Sequence, residues 1–147
     1  MNDDSLLQAG PEHEGLRQRS IDLRHALLSL HKVLIDSERA SFEKTMGEIH
    51  SPSHFLQLLT SDPWFTWLQP LSSLIISVDE QMDQKEPLTI AELDALISQS
   101  GRLLVPVEQG HGFSGHYFEA LQRDPRVVLA HAEAVKFLGP REPTGGE

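Results

Sequence analysis

Apolar residues recur at spacings of three, four and seven along nearly the whole chain, whereas the alternation typical of β-strands is rare. The longest such pattern runs from about Glu14 to Met46 and ends near Gly47. Its apolar positions form an arc wider than about 100°, which is more than the seam of a two-stranded coiled coil needs. The pattern therefore predicts a long first helix that packs against several other helices at once.

Capping and proline signals predict the shorter helices that follow. The predicted starts are Ser51-Pro52-Ser53, Asp62-Pro63, the capping box Thr89-Ile90-Ala91-Glu92, the aromatic stretch from Phe113, and Asp124-Pro125. Pro70 falls inside the third pattern and lacks the N–H that would bond to Thr66, which predicts a kink or break. The fold expected is all-α, a single-domain bundle of five to six helices around the long N-terminal helix.

The two ends of the chain differ from its middle in composition. Residues 1–13 are polar and contain Gly10-Pro11, and residues 139–147 read GPREPTGGE. Such segments predict a flexible N-terminal arm over 1–13 and a flexible C-terminal tail over 139–147. The helical bundle domain is expected to cover residues 14–138.

Charge and composition narrow the classes of function. The 147 residues contain 12 Lys+Arg and 22 Asp+Glu, a net charge of −10, which argues against nucleic acid as a partner. The absence of cysteine excludes disulfides, thiolate catalysis and Cys-ligated zinc. No apolar run approaches the ~20 residues of a membrane span, and the acidic start does not resemble a signal peptide. We expect a soluble, cytoplasmic protein with no membrane partner.

Polar residues placed on the helical wheels identify a candidate site. On the first helix His31 falls inside the apolar arc, with Arg24 and Glu38 seven residues to either side on the same line. On the last helix His131 also falls inside the apolar face, and Asp79 flanks the apolar face of the third pattern.

Three interpretations of these residues remain open. The first is a structural network, with Arg24 paired to Asp79 or Glu38 and the histidines hydrogen-bonded in the core. The second is that the residues are exposed at a helix edge. The third is a site in the bundle core where histidines and carboxylates bind a metal or small ligand, although the Glu-x-x-His pairs of di-iron bundles are approached only by Asp22-x-x-His25. No cofactor is predicted.

Two further patterns have a structural and a functional interpretation. Gly110 to Gly115 satisfies the dinucleotide pattern G-x-G-x-x-G, but no strand is predicted before it, which favours a loop that leads into a helix. Trp64 and Trp67 lie on one side of a helix start. Such a pair is typical of core packing, and the alternative is a partner-binding face, since tryptophan is enriched in interface hot spots.

Three stretches also carry a resemblance. They are Leu23-Arg24-His25-Ala26-Leu27-Leu28, Asp62-Pro63-Trp64-Phe65-Thr66-Trp67-Leu68 with Pro70-Leu71, and Leu121-Gln122-Arg123-Asp124-Pro125-Arg126-Val127-Val128-Leu129-Ala130-His131. With them the chain resembles, over about residues 20–138, a family of small uncharacterised bacterial proteins. The resemblance implies a bacterial, all-helical protein, and it implies no activity, cofactor or catalytic residue.

The sequence thus favours a binding or regulatory protein whose helical surface meets another protein or a copy of itself. The alternative is a metal- or ligand-binding bundle that uses His31, His131, Glu38 and Asp79. No assembled set of residues indicates an enzyme.

Overall fold

The computed structural model describes the backbone of residues 2–138 and the side chains of residues 14–138. Within this part of the chain there are seven helices and no β-strand. They are α1 (Asn2–Met46), α2 (Pro52–Ser61), α3 (Pro63–Thr66), α4 (Gln69–Met82), α5 (Ile90–Leu103), α6 (Phe113–Arg123) and α7 (Pro125–Leu138). The predicted all-α fold around a long N-terminal helix is confirmed, with one helix more than expected.

The additional helix comes from the break predicted at Pro70. Helix α3 ends at Thr66, and α4 begins at Gln69, so that Pro70 occupies the first turn of α4. Proline is tolerated there because the first N–H groups of a helix have no partner within it. The third pattern, in which a kink or break is predicted at Pro70, therefore corresponds to a short helix, a corner and a second helix.

Helix α1 ends where the sequence predicts. Gly47 follows Met46 with a φ of 107°, a conformation that favours glycine, and its N–H donates to the carbonyl of Glu43 at 3.1 Å. The helix bounds extend back to Asn2, before the expected start at Glu14. The side chains of residues 2–13 and all of residues 139–147 lie outside the described residues, so the proposed arm and tail stay predictions.

Of the five predicted starts of the shorter helices, four have side-chain caps, and α6 begins after Gly112 without one. Ser51 Oγ accepts from the N–H of His54 at 3.1 Å, and Thr89 and Glu92 form the reciprocal capping box. Asp62 and Asp124, the aspartates of the two Asp-Pro sequences, cap their helices in the same way. In each, Oδ1 accepts a hydrogen bond from the backbone N–H of the second residue after it, at 2.8 Å for Asp62 and 2.9 Å for Asp124.

Two hydrophobic clusters hold the helices together. The main core joins α1, α4, α5, α6 and α7, and its buried members are the residues Leu23, Leu27, Leu30, Leu34, Trp67, Leu68, Leu71, Leu74, Ile75, Val78, Leu93, Leu96, Leu104, Phe113, Tyr117, Ala120, Val127 and Ala134. The corner core lies at the end of α1 and consists of Phe42, Ile49 and Phe65, with Phe55, Leu58, Leu59 and Trp64 partly buried around them. Helix α1 takes part in both clusters, and it packs against α3, α4, α5, α6 and α7.

Candidate functional site

The predicted polar row of α1 meets a matching row on α4. Arg24 forms an ion pair with Asp79, and His31 Nε2 lies 2.8 Å from Ser72 Oγ. Arg24 and His31 are seven residues apart, as are Ser72 and Asp79, so antiparallel helices bring both pairs together in one register. Sequence reasoning missed Ser72, although its spacing from Asp79 repeats that of the α1 row.

Glu38 continues the same row but has a different partner. Its carboxylate accepts from Arg123 Nη2 at 2.6 Å, and the same nitrogen donates to Ser37 Oγ at 3.1 Å. Each seven-residue step turns an α-helix back by ~20°, so Glu38 lies about 40° around α1 from Arg24 and faces the α6–α7 corner. Glu38 is only 5% exposed, so this pair joins the C-terminal part of α1 to that corner.

The α6–α7 corner carries a second arginine–carboxylate pair. Arg126 donates to both oxygens of Asp124, at 3.2 Å from Nε and 2.8 Å from Nη2. These hydrogen bonds lower the pKa of Asp124 to about 2. The carboxylate therefore stays ionised as the cap of α7 in any mildly acidic solution.

His131 is held by the largest fully buried side chain. The Tyr117 hydroxyl lies 2.6 Å from His131 Nδ1, and Tyr117 is 0% exposed. Burial raises the pKa of Tyr117, so the phenol keeps its proton, and its hydroxyl shares a hydrogen bond with the imidazole nitrogen. Burial also lowers the pKa of His131 and that of His31.

The five predicted site residues thus fall into separate pairs instead of one centre. Arg24 and Asp79 join each other, whereas His31, Glu38 and His131 each have a partner that the sequence did not identify. Among the described residues, no group of three histidines or carboxylates is arranged to hold a metal ion. Every buried side-chain nitrogen or oxygen there has a hydrogen-bond partner. This arrangement favours the structural-network interpretation over a ligand site in the bundle core.

The two tryptophans lie in different clusters. Trp67 is only 8% exposed in the main core, where its ring stacks on His116 with centroids 5.2 Å apart. Trp64 is partly buried and meets the edge of Phe42 at 5.4 Å. Both side chains pack mainly within the molecule, so a partner surface at this point would have to use the exposed remainder of Trp64.

The glycine-rich sequence before α6 serves close packing. A Cβ on Gly115 would clash with the carbonyl oxygen of Gly110, and Gly112 has a φ of 62°. The loop closes through a hydrogen bond from the N–H of Val107 to the carbonyl of Ser114, at 3.1 Å. No strand precedes it within residues 2–138, so the setting of a dinucleotide site is not present there.

Two of the surfaces formed by the described residues expose apolar side chains that the polar pairs do not use. One is a groove of about 380 Å³ beside the corner core, between Arg39 on α1 and Phe55 and Leu56 on α2. The other is the outward face of α7, where Val128, Leu129 and Val135 are exposed. Sequence reasoning identified neither, because exposed apolar residues look like core positions when only their spacing is known.

Comparisons with known proteins were made for both sequence and structure. No protein-family model matches the chain, and no curated protein or solved structure matches it. Among the described residues, no helix combines the length and hydropathy that crossing a bilayer requires. Function is therefore argued from the side chains alone.

Proposed function

We propose that the protein is a helical interaction module that pairs with a second copy of itself through the outward face of α7. The observation that supports this is the exposure of Val128 (45%), Leu129 (68%) and Val135 (36%), with Ala132 exposed between them. The inner face of the same helix is apolar too, since Val127 and Ala134 are buried. A surface helix normally keeps a polar outer face, whereas on α7 three exposed apolar residues share the outer surface with Arg126, Glu133 and Lys136.

The spacing of the exposed residues favours a copy of the same helix as the partner. Val128 and Val135 lie almost symmetrically about Ala132. A two-fold axis near Ala132 would place Val128 of one copy opposite Val135 of the other, with the small alanine allowing close approach. On the helical wheel Lys136 falls inside this strip, between Ala132 and Leu129, and Glu133 borders it, so the two opposite charges leave the face with little net charge.

The size and charge of the molecule set the strength of this pairing. Helix α7 has 14 residues, or about 21 Å, which places the contact at the small end of specific interfaces. Each copy carries a net charge of −10, and two copies repel each other unless salt screens them. We therefore expect a dimer with a dissociation constant in the micromolar range that tightens as salt is raised.

Analytical ultracentrifugation from 5 to 200 µM tests the proposal. We expect reversible dimerisation of the wild type, its loss in Leu129→Lys, and no effect of the matched change Ile76→Lys, which alters an exposed residue of α4 (55%). Because the chain has no cysteine, Ala132→Cys adds a single thiol near the expected axis and should form a disulfide-linked dimer on mild oxidation, unlike Ala91→Cys. A wild type that stays monomeric at 200 µM, or dimers that form equally well in Leu129→Lys, would overturn the proposal.

A further inference from the structure

We propose that the groove beside the corner core binds a small amphiphilic carboxylate, with Arg39 holding the carboxylate and α2 covering its apolar body. This site is independent of the α7 face. The groove is lined by Arg39 and by Ile49, His50, Phe55, Leu56 and Leu59. Its volume of about 380 Å³ falls within the range of small-molecule sites, which are mostly apolar with a few polar groups.

The side chain of Arg39 is held in place without a hydrogen bond to any described residue. Its guanidinium carbon lies 4.6 Å from the centre of the Phe55 ring, which places the cation over the face of that ring. The carboxylate paired with it, Glu43, has Oε2 3.7 Å from Arg39 Nε, beyond hydrogen-bond distance. The same oxygen already accepts the N–H of Ile49 at 2.8 Å.

Three other arginines of the described chain show the contrast. Arg24, Arg123 and Arg126 each donate a hydrogen bond to a carboxylate. Arg39 makes no such bond within the described residues, and its side chain is 39% exposed. A guanidinium held over a ring, with N–H groups that make no hydrogen bond to a described carboxylate, matches the planar shape of a carboxylate with two oxygens.

The walls of the groove explain why the ligand should also be apolar. Helix α2 has no fully buried residue, and Leu56 is 61% exposed. Phe55 and Leu59 are only partly covered by the corner core. An apolar body laid along these side chains would remove their surface from water, which is favourable in proportion to the area covered.

The charge of the site selects one negative charge over several. Among the described residues that line the groove, Arg39 alone carries a permanent positive charge, and Glu43 lies close behind it. A phosphate dianion would face this carboxylate and the net charge of −10 with a single guanidinium to offset them. A monocarboxylate needs only the one pair of N–H donors that the Arg39 guanidinium offers.

Amide chemical shifts during titration with sodium decanoate below its micelle concentration test the inference, with 1-decanol as the uncharged probe. We expect decanoate to shift the amides of Arg39 and of residues 49–59, and to bind about tenfold or more tighter than decanol. Arg39→Gln should remove this preference, Arg39→Lys should retain part of it, and Arg102→Gln on α5 should leave it unchanged.

Two results would overturn the proposal. One is the absence of shifts around the groove at 1 mM decanoate in the wild type. The other is equal binding of decanoate and decanol, which would mean that apolar contact alone holds the probe. Thermal denaturation of each variant checks that it is folded. If Arg39→Gln does not fold, Arg39→Lys still tests the proposal. A failure here leaves the α7 proposal untouched, because the amides of α7 report on that face separately.

Discussion

The main core and the corner core solve the same packing problem with different residues. The main core draws mostly aliphatic side chains from long helices, and many of them, such as Leu23, Leu30 and Leu71, are 0% exposed. The corner core is aromatic: the ring centroids of Phe42 and Phe65 lie 5.4 Å apart, and those of Phe55 and Phe65 lie 5.7 Å apart.

The difference follows from the lengths of the helices. Helices α2 and α3 have 10 and 4 residues and offer few inward positions. Aromatic side chains bury the most area per residue, so they compensate for the small number of inward positions on these two helices. Short helices also have little stability of their own, so the corner depends on packing against α1. We infer that the corner opens more easily than the main core, and that it is the part of the molecule whose apolar surface is left for a ligand.

The largest expected change in the free energy of unfolding comes from a Leu→Ala substitution, and the same substitution can be made in the main core and in the corner core. Leu71→Ala in the main core should lower the free energy of unfolding by about 2–5 kcal/mol, because Leu71 is fully buried and leaves a cavity. Leu58→Ala in the corner should cost about 1 kcal/mol, since Leu58 is only partly buried. Urea denaturation measures both values, and equal losses would contradict the comparison.

Hydrogen exchange locates these effects. In the wild type, the amides of α2 should exchange through a local opening of lower free energy than those of α4. Leu58→Ala should speed exchange within α2 alone, whereas Leu71→Ala should speed the slowest amides of the helices that form the main core, α1, α4, α5, α6 and α7. A single opening free energy across α2 and α4 would mean that the two clusters unfold as one unit.

The second effect tests the polar pair inside the main core. Tyr117→Phe removes only the hydroxyl and leaves His131 Nδ1 without its partner at a half-buried position. We expect a loss of about 1–3 kcal/mol in the free energy of unfolding, the usual cost of an unpaired buried group. Phe118→Leu removes more volume but no polar group at a partly buried position nearby, and it serves as the control for packing.

The third effect depends on pH. Burial places the pKa values of His31 and His131 below their ordinary value, so the unfolded chain binds more protons than the folded chain as the pH falls through about 6.5. The stability present above that pH should therefore be lost on acidification toward pH 5. The fall in melting temperature between pH 7.5 and 5.5 should be smaller in the double variant His31→Gln/His131→Gln. An identical fall in both proteins would assign the acid sensitivity to other groups.

These residues also show what the sequence could predict. Periodicity and caps identified the helices, the end of α1 and the break at Pro70, because these features depend on neighbours in the chain. The sequence leaves Asp79 and Glu38 open as partners of Arg24, since wheel positions identify the helix face on which a side chain lies but not the helix that packs against it. Arg123 as the partner of Glu38 depends on where α6 ends in space, which no local pattern encodes. The contact of Arg39 with Phe55 could not be predicted for the same reason, because the chain must reverse between α1 and α2 to bring the guanidinium over the ring.

The smallest effect concerns the ion pair that closes the α1–α4 seam. Arg24 and Asp79 each have a side chain that is 40% exposed, so water and salt screen their attraction. A double-mutant cycle with Arg24→Ala and Asp79→Ala should give a coupling of about 1 kcal/mol or less, shrinking further at high salt. Urea denaturation at two ionic strengths measures it. If the coupling instead exceeded about 2 kcal/mol, the stability of the main core relative to the corner would owe more to charge than to buried leucines, and the comparison would need a different physical basis.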